Sequence, residues 1–134
     1  MACIVHGYGG NLLILLNKPF RVLSQFRDRD DRATLADFVD VTNVYPAGRL
    51  DFDSEGLLLL TDDGRLQAHI SSPASKTRKT YWAQVEGIPS PEQLRQLESG
   101  VKLKDGPAGA LSARLIEEPP GLWERSPPIR YRKN

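Results

Sequence analysis

The apolar positions of this chain come in short runs divided by polar punctuation. Leu12–Leu16 is a continuous apolar run of strand length, stopped by Asn17-Lys18-Pro19. Val22–Phe26 predicts a second short strand, and the alternating charges of Arg27–Arg32 an exposed loop. Thr34-Leu35-Ala36-Asp37 can cap a short helix with Leu35, Phe38 and Val39 on one face. Pro46 and Gly48 then break regularity. Leu57–Leu60 reads as a buried strand followed by a turn, Thr61-Asp62-Asp63-Gly64, in which an aspartate caps a helix carrying Leu66 and Ile70. Lys79–Glu86 alternates, with Tyr81, Ala83 and Val85 on one side, and predicts a strand. Ser90-Pro91-Glu92-Gln93 is a strong helix start, Leu94 and Leu97 face inward, and Gly100 ends the helix. Val101–Leu103 and Ala110–Ile116 predict two further strands around the Asp105-Gly106 turn. Glu117–Pro128 is a proline-rich loop, and Arg130 onward reads as the start of another strand. Met1–Gly10, with three glycines and no period, reads as a loose leader. Many strands with only short helices predict an α+β (mixed α/β) domain on a predominantly antiparallel mixed sheet.

Composition narrows the class without naming a function. The chain has 134 residues, 40% hydrophobic and 26% charged, which suits one soluble globular domain. No apolar run approaches the roughly 20 residues of a membrane helix. The first ten residues lack a basic segment before an apolar stretch, so a cytoplasmic location is the default expectation. One cysteine, Cys3, forms no internal disulfide, and two histidines with it are too few for a zinc site of those ligands. Net charge is +1, so global charge does not announce a nucleic-acid binder. Local charge is uneven: Lys76, Arg78 and Lys79 precede Tyr81 and Trp82, and Arg130, Arg132 and Lys133 crowd the C-terminus. By charge alone these are solvated surface.

The chemistry concentrates between Ala47 and Gly64. Asp51, Asp53, Glu55, Gly56 and Asp62 fall at positions one, three, five, six and twelve of a calcium loop. That reading fails physically. Pro46 and Gly48 deny it a preceding helix, a leucine strand overlaps its second half, and position nine is Leu59, which has no side-chain oxygen. A polar loop leading into a buried strand is the commoner fate of such a segment, but it leaves Arg49 unexplained. Alternation sends Arg49 and Asp51 to the same side, where they can pair or act on one ligand. An aspartate in a cleft beside a guanidinium can serve as nucleophile or base, and Gly48 lets the backbone approach a ligand. A metal-dependent hydrolase using Asp51 and Asp53 is disfavoured, because nothing completes an octahedral oxygen site.

The stretch Gly48-Arg49-Leu50-Asp51-x-x-Ser54-x-Gly56-Leu57-Leu58-x-x-Thr61-x-Asp63-Gly64 resembles the active-site motif of one family of ribosomal pseudouridine synthases, that of type A for the small ribosomal subunit and types B, E and F for the large. Leu16-Asn17-Lys18-Pro19 resembles that family's opening Asn-Lys-Pro motif, and Lys79-Thr80-Tyr81-x-x-x-Val85 its Lys-x-Tyr strand. Val85-Glu86-Gly87-Ile88-Pro89 and Pro127-Pro128-Ile129-Arg130 look most like the type E branch. The resemblance runs from Leu12 to Asn134. It implies a pseudouridine-synthase-like catalytic fold and isomerisation of uridine in ribosomal RNA, 23S RNA for this branch, with no metal or redox cofactor. Asp51 matches the catalytic aspartate, Tyr81 the tyrosine that stacks on the target base, and Arg49 the arginine that holds the extruded nucleotide's place or phosphate. Lys76, Arg78 and Lys79 would hold phosphates, with Lys18 as a further RNA-binding candidate. His69 and Cys3 receive no role, and Asp53 and Glu55 are expected to accept loop hydrogen bonds. Family members continue with a segment of the type Gly-x-x-x-Gln-Val-Arg-Arg-Met, which has no counterpart here. Residues 11–134 therefore read as the N-terminal portion of a catalytic domain, behind a non-matching leader of residues 1–10. An RNA-binding but catalytically incomplete fragment is the alternative.

Overall fold

The computed structural model describes residues 2–6 and 10–128. They fall into two compact units, one running to Thr80 and one beginning at Tyr81. The strand expected from Arg130 onward lies outside the described residues.

The first unit is built on an antiparallel four-stranded sheet. Its strands are β1 (Ala2–His6), β2 (Leu12–Lys18), β3 (Tyr45–Pro46) and β4 (Gly56–Thr61), in the order β1-β2-β4-β3. Both apolar runs became strands, and pairing them sets the faces. Ile14 lies opposite Leu60, Leu16 opposite Leu58, and Lys18 opposite Gly56. Ile14, Leu16, Leu58 and Leu60 therefore share one buried face, while Leu57 in the same leucine run is 64% exposed. Leu35, Val39 and Val44 close over that face, with Leu12, Phe26, Val41 and Leu50 packed around them.

Residues 2–6 correct the reading of a loose leader. They have no period of their own and become a strand because β2 offers them a free edge, with Ala2 opposite Leu16 and His6 opposite Leu12. Val22–Phe26 is also corrected. It makes an isolated bridge, Leu23 with Thr34, and otherwise runs as loop. The charged segment after it is the exposed loop its alternation predicts. Within it the Arg32 guanidinium grips Asp28 at 2.9 Å and holds that carboxyl well below the usual carboxylate range. The helix at Thr34 is a single 3-10 turn, Leu35–Asp37, closed by a capping box between Thr34 and Asp37. Leu35 and Val39 face the core, but Phe38 is 44% exposed.

Asp63 caps α1 (Gly64–Ser71) as its position in the turn predicts. One carboxylate oxygen accepts from the N–H groups of Arg65 and Leu66, and the other from the Asn11 amide at 2.8 Å. Replacing an N-cap aspartate by alanine costs about 1 kcal/mol. Asp63→Ala is expected to lower the thermal midpoint by several degrees, measured by circular dichroism. A 3-10 turn, Pro73–Ser75, follows α1.

The second unit holds α2 (Pro91–Ser99), capped by Ser90 and Gln93 in the predicted box, and a hairpin of β5 (Val101–Leu103) and β6 (Gly106–Ala108). Leu94 is half-buried, while Leu97 is exposed. Two predicted strands are absent. Lys79–Glu86 is irregular and exposed, and Ala110–Ile116 forms no ladder. Its backbone turns instead to the end of α2: the N–H of Ala110 donates to the Leu97 carbonyl, and that of Ala113 to the Glu98 carboxylate. Gly109 permits this, since an added Cβ would lie 3.4 Å from both the Leu97 carbonyl oxygen and the Gly100 Cα. No helix among the described residues is long and apolar enough to cross a membrane.

Candidate active site

The loop between β3 and β4 emerges at the end of the sheet where Lys18 pairs with Gly56. It is bracketed by Gly48 at φ +98° and Gly56 at φ +120°. Neither has a neighbour within 4 Å of an added Cβ. Both positions therefore favour glycine for backbone conformation and not for space. Between them Leu50 turns inward onto the core, and Arg49 and Asp51 on either side are exposed. This is the alternation the sequence predicts. The two charged groups share a side, yet Arg49 forms no ion pair among the described residues. Asp51 is likewise exposed on the loop.

The backbone of this loop is held at several points. Before it, the N–H of Ala47 donates to the Leu59 carbonyl at 2.7 Å, and the Gln67 amide of α1 to the Pro46 carbonyl at 3.0 Å. The Ser24 hydroxyl donates to the Leu50 carbonyl at 2.7 Å and accepts from the Leu50 N–H at 3.1 Å. The N–H of Arg21 donates to the Phe52 carbonyl at 2.8 Å, and the N–H of Ser54 closes a turn on the Asp51 carbonyl at 3.0 Å. The Asp51 side chain takes no part in this scaffold.

Lys18 is neither a surface lysine nor an open ligand. It is fully buried, and its ammonium donates to the carbonyls of Pro19 and Val22, each at 2.8 Å. Those bonds fold the segment that carries Arg21 and Ser24. Burial pushes the Lys18 pKa below its ordinary value, opposed by the negative charges of Glu55, Asp53 and Asp51. The buried ammonium thus feels the negative charge of all three carboxylates, a setting its motif position did not reveal. Asp53 and Glu55 accept no hydrogen bond among the described residues and contribute charge instead. Asp62, at the last position of the discarded calcium pattern, accepts from the Leu12 N–H at 2.8 Å and so ties β2 to the end of β4.

The remaining candidates lie outside this loop in the sequence. Lys76, Arg78 and Lys79 are exposed beyond the second 3-10 turn, with no acidic partner among the described residues. Tyr81 belongs to the second unit and is 68% exposed. His69 faces solvent on α1. Ser24 and Arg21 had no sequence signal beyond a serine interrupting an apolar run. Their partners lie far along the chain, 26 residues away for Ser24.

A sheet that ends in a clamped loop bearing an exposed arginine and aspartate gives the motif resemblance a structural setting. Residues 12–118 match the RNA pseudouridylate synthase family, and the chain belongs to it. It is 55% identical over 120 residues to ribosomal large subunit pseudouridine synthase E of Vibrio vulnificus, covering 90% of this chain and 51% of that protein. It is 53% identical over 124 residues to the protein of the same name from Xanthomonas axonopodis pv. citri, covering 91% and 65%. Ribosomal large subunit pseudouridine synthase B of Bacillus subtilis is 42% identical over 104 residues, covering 76% and 43%. The crystal structure of a pseudouridylate synthase superposes with a TM-score of 0.66 at 31% identity, covering 74% of this chain and 44% of that one. The chain thus spans about half to two thirds of the length of these type E relatives.

Proposed function

We propose that this chain converts a uridine of large-subunit ribosomal RNA to pseudouridine, with Asp51 as the reacting carboxylate. The observation that carries the reading is the loop itself: Asp51 is exposed, its side chain without a hydrogen bond or ion pair among the described residues, between two residues whose backbones are pinned, inside a family-specific Gly-Arg-Leu-Asp motif. The names of the type E relatives support the substrate class.

In this reaction the bond from uracil N1 to ribose C1′ breaks, the ring turns, and a bond from C5 to C1′ forms. The C5 proton leaves to solvent and N1 gains one, so the balance needs no electron carrier. Attack on C1′ and removal of a ribose proton to give a glycal both put the Asp51 carboxylate at the sugar and not at the base. A reacting carbon inside a helical stack is out of reach, so the nucleotide must be extruded at a cost of a few kcal/mol. Stacking on an aromatic ring, worth about 1–3 kcal/mol per base, offsets much of that. Tyr81 supplies the ring in this reading. Arg49, which forms no ion pair among the described residues, holds the extruded nucleotide or its phosphate. Lys76, Arg78 and Lys79 hold the backbone by charge. Lys18, being buried, acts through the fold and not on RNA.

Release of tritium from RNA carrying 5-tritiated uridine tests the reading. One equivalent released per site modified is the expected result. RNA retention without release would leave a binding module and overturn the isomerase. The phosphate contacts have their own signature. Replacing Lys76, Arg78 and Lys79 together by alanine should weaken binding to all RNA sequences alike. It should also reduce the slope of log affinity against log salt by roughly 2.

A further inference from the structure

The arm leading from β2 toward the Thr34 turn is not part of the motif loop, yet it makes that loop's most specific contact. We infer that Ser24 is a positioning residue for Asp51, holding the loop in register through both polar groups of Leu50. The inference rests on the proposed role of Asp51 and goes beyond it.

The geometry is unusual for a side chain. One hydroxyl donates to the Leu50 carbonyl at 2.7 Å and accepts from the Leu50 N–H at 3.1 Å. It thereby satisfies both backbone groups of a single residue, as a strand neighbour would. Ser24 is itself buried, so water does not readily replace it. The arm beneath it is rigid at both ends. The Lys18 ammonium holds Pro19 and Val22, and Leu23 and Gln25 bond to Ala33 and Leu35 through the backbone. The restraint is therefore passed from the sheet to Leu50, the residue directly between Arg49 and Asp51. No other side-chain hydrogen bond reaches residues 49–51 among the described residues. A small error in placing a reacting group lowers turnover far more than binding; an ångström can cost about a hundredfold.

The test compares Ser24→Ala with Ser24→Thr, which keeps the hydroxyl. In Ser24→Ala the Leu50 amide should exchange with solvent roughly tenfold faster or more, while amides of β4 keep their protection. Its kcat for tritium release should fall about 10–100-fold with KM changed less than about twofold. Ser24→Thr should restore most of both. Should Ser24→Ala fail to fold, Ser24→Cys, of similar size with a weaker donor, carries the same comparison. Unchanged Leu50 exchange, or loss appearing in KM with kcat intact, overturns the positioning role. Absence of release by the unsubstituted chain instead overturns the isomerase reading, while the exchange arm still decides the clamp.

Discussion

Asp51→Asn is expected to reduce tritium release from 5-tritiated uridine RNA to background, a loss of at least about 10²–10⁴-fold. The amide keeps the size and shape of the carboxylate but can neither attack the sugar nor take a proton from it. The fold should not notice. The Asp51 side chain bonds to nothing in the loop scaffold, and the turn it begins uses its main-chain carbonyl, which accepts from Ser54. The thermal midpoint should stay within a degree or two of the unsubstituted chain, and RNA affinity within about twofold. If Asp51 were an ordinary loop carboxylate, release would persist in the variant at a rate close to the original. Gel retention and release measured on the same preparation separate the two.

Lys18→Met is expected to act on stability first. The methionine keeps the apolar stem in its buried slot and removes the ammonium from the carbonyls of Pro19 and Val22. An orphaned buried carbonyl costs roughly 1–3 kcal/mol, so two give a gross loss of about 2–6. Removing a desolvated charge returns part of this. The net expected loss is about 2 kcal/mol, or roughly 8–16 °C in thermal midpoint if one small unit melts as a whole. The sign of the pH dependence follows from the cause of the shift. Burial lowers the folded pKa of Lys18 below its ordinary value of 10.5. Between those two values the unfolded chain binds more protons than the folded one, and stability gains with rising pH. The stability difference between the unsubstituted chain and Lys18→Met should therefore widen as pH rises through that alkaline window, measured by urea titration. A constant difference would mean that the ammonium is not desolvated.

Local signals were legible wherever the partner is close in sequence. The caps at Thr34, Asp63 and Ser90 act across two or three residues, and all three stand where the sequence puts them. The two apolar runs became β2 and β4 because each has the other to pair with. Alternation at Lys79–Glu86 and the strand reading of Ala110–Ile116 were not enough, since a ladder needs a neighbouring strand. The second of these segments found the end of α2 instead. β1 is the converse case, a strand made by its partner's edge and not by its own pattern. The same division runs through the site. Arg49 and Asp51 could be picked out, and their shared side follows from alternation. The clamp could not, because Ser24 meets Leu50 across 26 residues. Lys18 was visible as a motif residue, but its burial depends on a fold-back to Val22 that the motif does not encode.

The decisive observation would be a structure of this chain with a ribosomal RNA fragment carrying 5-fluorouridine at the modified position, where fluorine blocks loss of the C5 substituent. The nucleotide should be extruded from its stack, with a carboxylate oxygen of Asp51 about 3–3.5 Å or less from a ribose carbon and the Leu50 backbone still held by Ser24. A nucleotide that stays stacked, or a sugar held well away from Asp51, would contradict it.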